Sequence, residues 1–161
     1  MRLAVRHRMR AYYIAIVAGV MLVISSFLPW MVLGDVPVGG VPDTAGLWIL
    51  GLGSTAIVLA SLSIVTRKNS RHPLLLVGLL SLGILFLAHQ WMARSIAEGA
   101  WARAQALAIV ENVAPPEQPD PAVGVGIYLG LAASVVLVLF GLTIVLKRVS
   151  KPYATPEDDD V

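Results

Sequence analysis

The sequence predicts an all-α fold: an integral membrane four-helix bundle with both termini on the cytoplasmic side and an outer-surface helical segment between helices 3 and 4. Three observations lead there. The chain has 161 residues, 57% hydrophobic and only 14% charged, where soluble domains carry roughly a quarter charged. A soluble chain this short cannot hide so much apolar surface, because small domains leave a large share of their surface in water. The apolar residues gather into four runs, each long enough for a hydrocarbon core of about 30 Å, which takes about 20 helical residues. The basic residues then sit beside those runs on alternate connections, as membrane topology places them.

The predicted spans are Ala11–Leu33, Leu47–Val65, Pro73–Met92 and Ala122–Leu146, and none contains Asp, Glu, Lys or Arg. In lipid each backbone amide must be satisfied within its own segment, which selects helices. A transmembrane barrel would instead show alternating strands of about ten residues. The first run follows Arg2, Arg6, Arg8 and Arg10, like a secretory signal, yet it is too long and no small-x-small cleavage site closes it. It ends in Phe27-Leu28-Pro29-Trp30, an interfacial aromatic after a helix-bending proline, and reads as a retained helix. Residues 1–150 form one transmembrane domain in this reading. The tail 151–161 carries Glu157, Asp158, Asp159 and Asp160, buries nothing and is expected to be disordered.

Orientation follows from Lys and Arg. The N-terminal ten residues hold four, the turn between helices 2 and 3 holds Arg67, Lys68 and Arg71, and the C-terminal tail holds Lys147, Arg148 and Lys151. The other two connections share only Arg94 and Arg103. That asymmetry puts both termini and the 66–72 turn inside, and 34–46 and 93–121 outside. The net charge of +2 needs no nucleic-acid partner, because no basic face interleaved with stacking aromatics exists.

The first outer loop, Gly34 to Thr44, is dense in turn formers. Its prolines fix φ and its paired glycines Gly39-Gly40 accept positive φ, and Asp43 or Thr44 can cap the second helix. Asp35 and Asp43 are a weak candidate for cation binding. The second outer segment, Met92 to Val113, lacks proline and is rich in helix formers. Arg94, Glu98, Gln105 and Asn112 share one face, with Ile96, Leu107 and Val110 opposite. It either extends helix 3 or bends near Gly99 to lie on the membrane surface. Pro115-Pro116 is expected to end it, and Asp120-Pro121 to start helix 4.

Helices pack in lipid through close backbone approach, and so through small residues. Gly126, Gly130 and Ser134 form such a stripe on helix 4, with Ala11, Ala15 and Gly19 on helix 1, Gly53, Ala56 and Ala60 on helix 2, and Gly78, Ser81 and Gly83 on helix 3. The stripe on helix 4 suits a bundle contact better than a dimer face. Trp30, Trp48, Trp91 and Trp101 are the expected interface anchors. Ser25 stands four residues before Pro29, so its carbonyl loses the usual amide, and a nearby hydroxyl is expected to help re-satisfy the backbone. No base stands near either Ser25 or Ser26, so no catalytic residue is expected.

His89 is the one ionisable side chain of the His, Asp, Glu, Lys and Arg set within the spans. An intramembrane histidine invites axial ligation of a haem or pigment. Its place near the outer end, beside Gln90 and Trp91, favours an interfacial histidine instead. No cofactor and no metal is expected, and without any cysteine thiolate chemistry is excluded.

The passage Ser26-Phe27-Leu28-Pro29-Trp30, then a Gly/Pro/Asp loop, then Gly46-Leu47-Trp48 resembles uncharacterised four-helix membrane proteins of high-GC actinobacteria and Chloroflexi. The two-plus-two layout around a basic turn also resembles the tryptophan-associated family of actinobacterial membrane proteins. The resemblance implies a bacterial cytoplasmic membrane and brings no activity. Three function classes remain. An accessory or scaffolding subunit of a larger membrane complex, partnered by other membrane subunits or by copies of itself, is favoured by the packing stripes and the lack of catalytic groups. A lipid, pigment or small-molecule binder would use the helix ends around His89 and Trp91. A transporter or enzyme would be expected to carry ionisable groups inside its spans.

Overall fold

Helices dominate, as the apolar runs require, but a small sheet joins them. The computed structural model describes residues 11–66, 71–114 and 120–149, the side chains of Ala93 and of 144–149 excepted. In chain order these are α1 (Tyr12–Phe27), β1 (Pro29–Leu33), β2 (Val36–Gly39), α2 (Thr44–Thr66), α3 (Arg71–Glu111), β3 (Pro121–Val123) and α4 (Val125–Val149). The N-terminal arginines, Arg67 and Lys68, Pro115-Pro116 and the acidic tail lie outside the described residues, so the expectations placed on them stay there.

Contacts close a ring: α1 packs on α2 and α4, and α3 packs on α4 and, less extensively, on α2. The ring is built on small side chains, with Ala15, Ala18, Gly19, Ser25 and Ser26 buried on α1 and Gly46, Gly53, Ala56, Ala60 and Ser63 on α2. A Cβ on Gly19 would stand 3.1 Å from the Gly53 carbonyl oxygen, and one on Gly53 would stand 3.0 Å from the Gly19 oxygen. Each glycine therefore allows the other helix its approach. Large apolar side chains point outward instead, among them Ile14, Val17, Leu62, Leu76, Phe86 and Leu139. In water such a girdle would far exceed the few hundred Å² of apolar patch that a soluble monomer exposes. A girdle of this size is compatible with a membrane as its surroundings.

Three helices, α2, α3 and the Val125–Thr143 part of α4, are long and apolar enough to cross a membrane. The first is shorter than the run that predicted it. α1 has 16 residues, about 24 Å at 1.5 Å per residue, because the chain turns at Leu28 into β1. Pro29 has no amide to offer the Ser25 carbonyl. That carbonyl accepts instead from the indole Nε1 of Trp30, at 2.8 Å. The next orphan carbonyl, of Ser26, accepts from the Val41 amide at 2.9 Å. The Ser25 and Ser26 hydroxyls donate to the Leu22 and Val23 carbonyls; the backbone group freed by the proline is satisfied by the tryptophan.

The all-α expectation is thus corrected to a mostly helical fold with a three-stranded antiparallel sheet in the order β2-β1-β3. Strands β1 and β2 form a hairpin with Leu33 opposite Val36. Gly34 takes its first corner at φ +59°, where a type II′ turn calls for glycine. Positive φ was expected at Gly39-Gly40, but Gly34 is the glycine that adopts it among the described residues. Gly40 serves by lacking a side chain, since a Cβ there would collide with the Trp30 indole. The expected helix start at Asp120-Pro121 is also corrected. Pro121, Ala122 and Val123 pair with Leu33, Val32 and Met31, and the Gly124 amide donates to the Trp30 carbonyl at 2.8 Å. An available strand edge has captured the segment, and α4 begins at Val125.

The Met92–Val113 segment extends the third helix. α3 is a single helix of 41 residues, about 60 Å long. It ends at Glu111, where Asn112 takes the left-handed region at φ +54°. The Val113 amide reaches the Ala108 carbonyl and the Asn112 amide the Ile109 carbonyl, which together make a Schellman cap. Facing contacts set the register of α3 on α4. Gly141 abuts Leu75, Gly78 abuts Val138 and Gly130 abuts Leu85. Extended along both helices, that register places Val125 level with about residue 90, so roughly 20 residues of α3, about 30 Å, run past the start of α4 as an arm, whose first turns still pack on the core through Met92 and Ile96.

Candidate functional site

At the end of the ring opposite the sheet, Arg71 opens α3 and turns inward. It is 8% exposed and is the one charged side chain that is buried among the described residues. Its guanidinium carbon lies 5.3 Å from the Phe140 ring centroid and 5.9 Å from that of Tyr12. The two rings meet edge-to-face at 5.2 Å. Nη1 donates to the Thr143 hydroxyl at 3.1 Å, and that hydroxyl donates to the Phe140 carbonyl at 2.6 Å. Nε is buried with no hydrogen-bond partner among the described residues. Cation–π contacts contribute about 0.5–2 kcal/mol each, whereas taking a cation out of water costs several kcal/mol. Among the described residues, two rings and one neutral hydroxyl leave that cation undercompensated.

Beside it, between α1 and α4, opens a cavity of about 490 Å³ lined by Ala11, Ile14, Val136 and Leu139 together with Arg71 and Thr143. Ile14, Val136 and Leu139 belong to the exposed apolar girdle, so the cavity opens sideways onto that apolar surface. Sequence reasoning missed this site by counting Arg71 only as a turn cation. A signal existed: position 71 precedes Gly78 by seven residues, two helical turns, and so continues the small inward stripe of α3 toward its start.

The residues singled out from sequence are distributed as follows. Gly126, Gly130 and Ser134 are buried within the chain. Gly126 lies beneath the Trp30 indole, and Gly130 lies between Leu85 of α3 and Ser25 of α1. Ala15 and Gly19 face inward on α1, as do Gly78 and Ser81 on α3, while Gly83 faces open space. Trp30, expected at an interface, is 0% exposed. Trp48 and Trp91 are exposed, and Trp101 is half-buried. Trp48 borders a shallow groove between α2 and α3 with Leu52, Leu80 and Ile84.

His89 is half-buried on α3, and its Nδ1 is shielded with no hydrogen-bond partner. A ligating imidazole ordinarily has its second nitrogen held by an acceptor, and Nδ1 meets none among the described residues. Asp35 sits at the hairpin tip, and Asp43 precedes α2 with its carbonyl accepting from the Leu47 amide. No group of three metal-capable side chains forms among the described residues. On the arm, Ala97 and Ala108 are buried, while Leu107, Ile109, Val110 and Val113 are bare, Ile109 and Val110 at 80% and 83% exposure.

Compared with protein-family models, curated proteins and solved structures, the chain matches none.

Proposed function

We propose that this chain is a multi-pass protein of a bacterial cytoplasmic membrane that serves, without catalysis of its own, as an accessory or scaffolding subunit of a larger membrane complex. The observation that supports this reading is the arm. One membrane crossing needs about 20 helical residues, and α3 has 41. The excess ends in Leu107, Ile109, Val110 and Val113, four exposed apolar side chains clustered at its tip. Apolar side chains gathered at the end of a rigid helix are the kind of surface that anchors a partner. The partner is a second membrane protein, or another copy of this one, that presents an apolar surface on the outer side.

The reading is tested by purification in mild detergent with mass identification, comparing wild type with the double variant Ile109→Asp, Val110→Asp. A stoichiometric partner is expected with wild type and is expected to fall by tenfold or more, about 1.4 kcal/mol or above, in the variant. A monomeric wild type, or a partner retained equally by both, would sink it.

Orientation has its own test. Single cysteines at Val38 and at Asn69 are expected to label from opposite sides with an impermeant thiol reagent, Val38 from outside. The hairpin and the basic turn lie on successive connections, at opposite ends of α2, so labelling of both from one side would contradict the four-crossing arrangement.

A further inference from the structure

We propose that the Arg71 pocket is a binding site for the headgroup of an anionic phospholipid, seated between α1 and α4 at the end of the bundle opposite the sheet. The inference rests on geometry independent of the arm. The guanidinium is buried against two aromatic rings and one hydroxyl, and its Nε has no acceptor among the described residues. It lines a cavity whose remaining walls are mostly aliphatic. The lining runs from apolar to polar along the helix axes. Val136 and Leu139 on α4 and Ile14 on α1 lie toward the middle of the bundle, with Thr143, Ala11 and Arg71 at its end.

That gradient matches a lipid standing in a leaflet, with an acyl chain along Ile14, Val136 and Leu139 and an anionic oxygen at the guanidinium. A guanidinium presents five N–H donors in a planar fork suited to phosphate, and one hydroxyl uses few of them. A small free anion would leave the aliphatic groove unfilled. Lipid fills it, because the groove opens on the exposed girdle. In sequence, Arg8, Arg10, Arg67, Lys68, Lys147 and Arg148 flank the same helix ends, and basic residues next to membrane crossings favour anionic headgroups.

The test is native mass spectrometry of the full chain in mild detergent with equal amounts of phosphatidylglycerol and phosphatidylcholine. Wild type is expected to retain phosphatidylglycerol over phosphatidylcholine by about tenfold, and Arg71→Gln to bring the ratio to about one. Arg71→Lys, which keeps the charge but loses the fork, is expected to fall between them. Leu139→Trp leaves Arg71 in place and fills the groove from its exposed side, and it is expected to reduce retention of phosphatidylglycerol. That variant keeps the test decisive if Arg71→Gln folds poorly. An unchanged ratio in Arg71→Gln, or unchanged retention of phosphatidylglycerol in Leu139→Trp, would overturn the proposal. Displacement of the lipid by millimolar inorganic phosphate would also overturn it, making the ligand a free anion. So would a preference that emerges only once Glu157, Asp158, Asp159 and Asp160 are neutralised, since the chain's own tail would then be the occupant.

Discussion

Trp30→Ala is expected to destabilise the fold by about 3–5 kcal/mol, the range for deleting a large buried aromatic, and to blur the end of α1. The indole is fully buried, wedged where Gly40 and Gly126 leave room for it. It also caps the Ser25 carbonyl that Pro29 leaves without an amide. Trp30→Phe separates the two roles. It keeps most of the packing and removes the donor, so a loss of about 1–3 kcal/mol is expected from the unsatisfied carbonyl alone. Melting in mild detergent, followed by near-ultraviolet circular dichroism, reads both variants. If Trp30→Ala melted like wild type, Trp30 would not join the sheet to the bundle.

Gly141→Leu is expected to cost about 3 kcal/mol, the upper end for overpacking. A Cβ at Gly141 would stand 2.7 Å from the Leu75 Cα and 3.0 Å from its backbone nitrogen, and a helix backbone cannot rotate away as a side chain can. The comparison is Gly83→Leu, where nothing lies within 4 Å of the added Cβ. That change is expected to be neutral or mildly stabilising, because leucine is the better helix former. Equal melting of the two variants would mean that α3 and α4 do not approach at Leu75 and Gly141.

Both predictions separate what patterning exposes from what contact decides. Small residues at helical spacing are visible in a sequence, but their spacing does not say which of them meet another backbone. Gly78 and Gly83 look alike in the apolar run of α3, yet one abuts Val138 and the other faces open space. Likewise the tryptophans share a chemistry that suits interfaces. Trp30 departs from it because Ser25 offers its indole nitrogen an acceptor inside the protein.

The four helices were legible in the chain itself, because length and apolar composition are local properties, readable in each run without reference to the rest of the chain. Their number followed from the same runs. So did the alternation of basic and non-basic connections on which the proposed orientation rests. Tertiary structure decided what depends on a partner elsewhere in the chain. Pro29–Leu33 and Pro121–Val123 became strands because each supplies the other with an edge across about ninety intervening residues, a pairing no local window contains. Arg71 became a buried cation for a related reason. α1 and α4 bring Tyr12, Phe140 and Thr143 to it, and helix packing in three dimensions makes a pocket of what the sequence presents only as one basic residue in a turn.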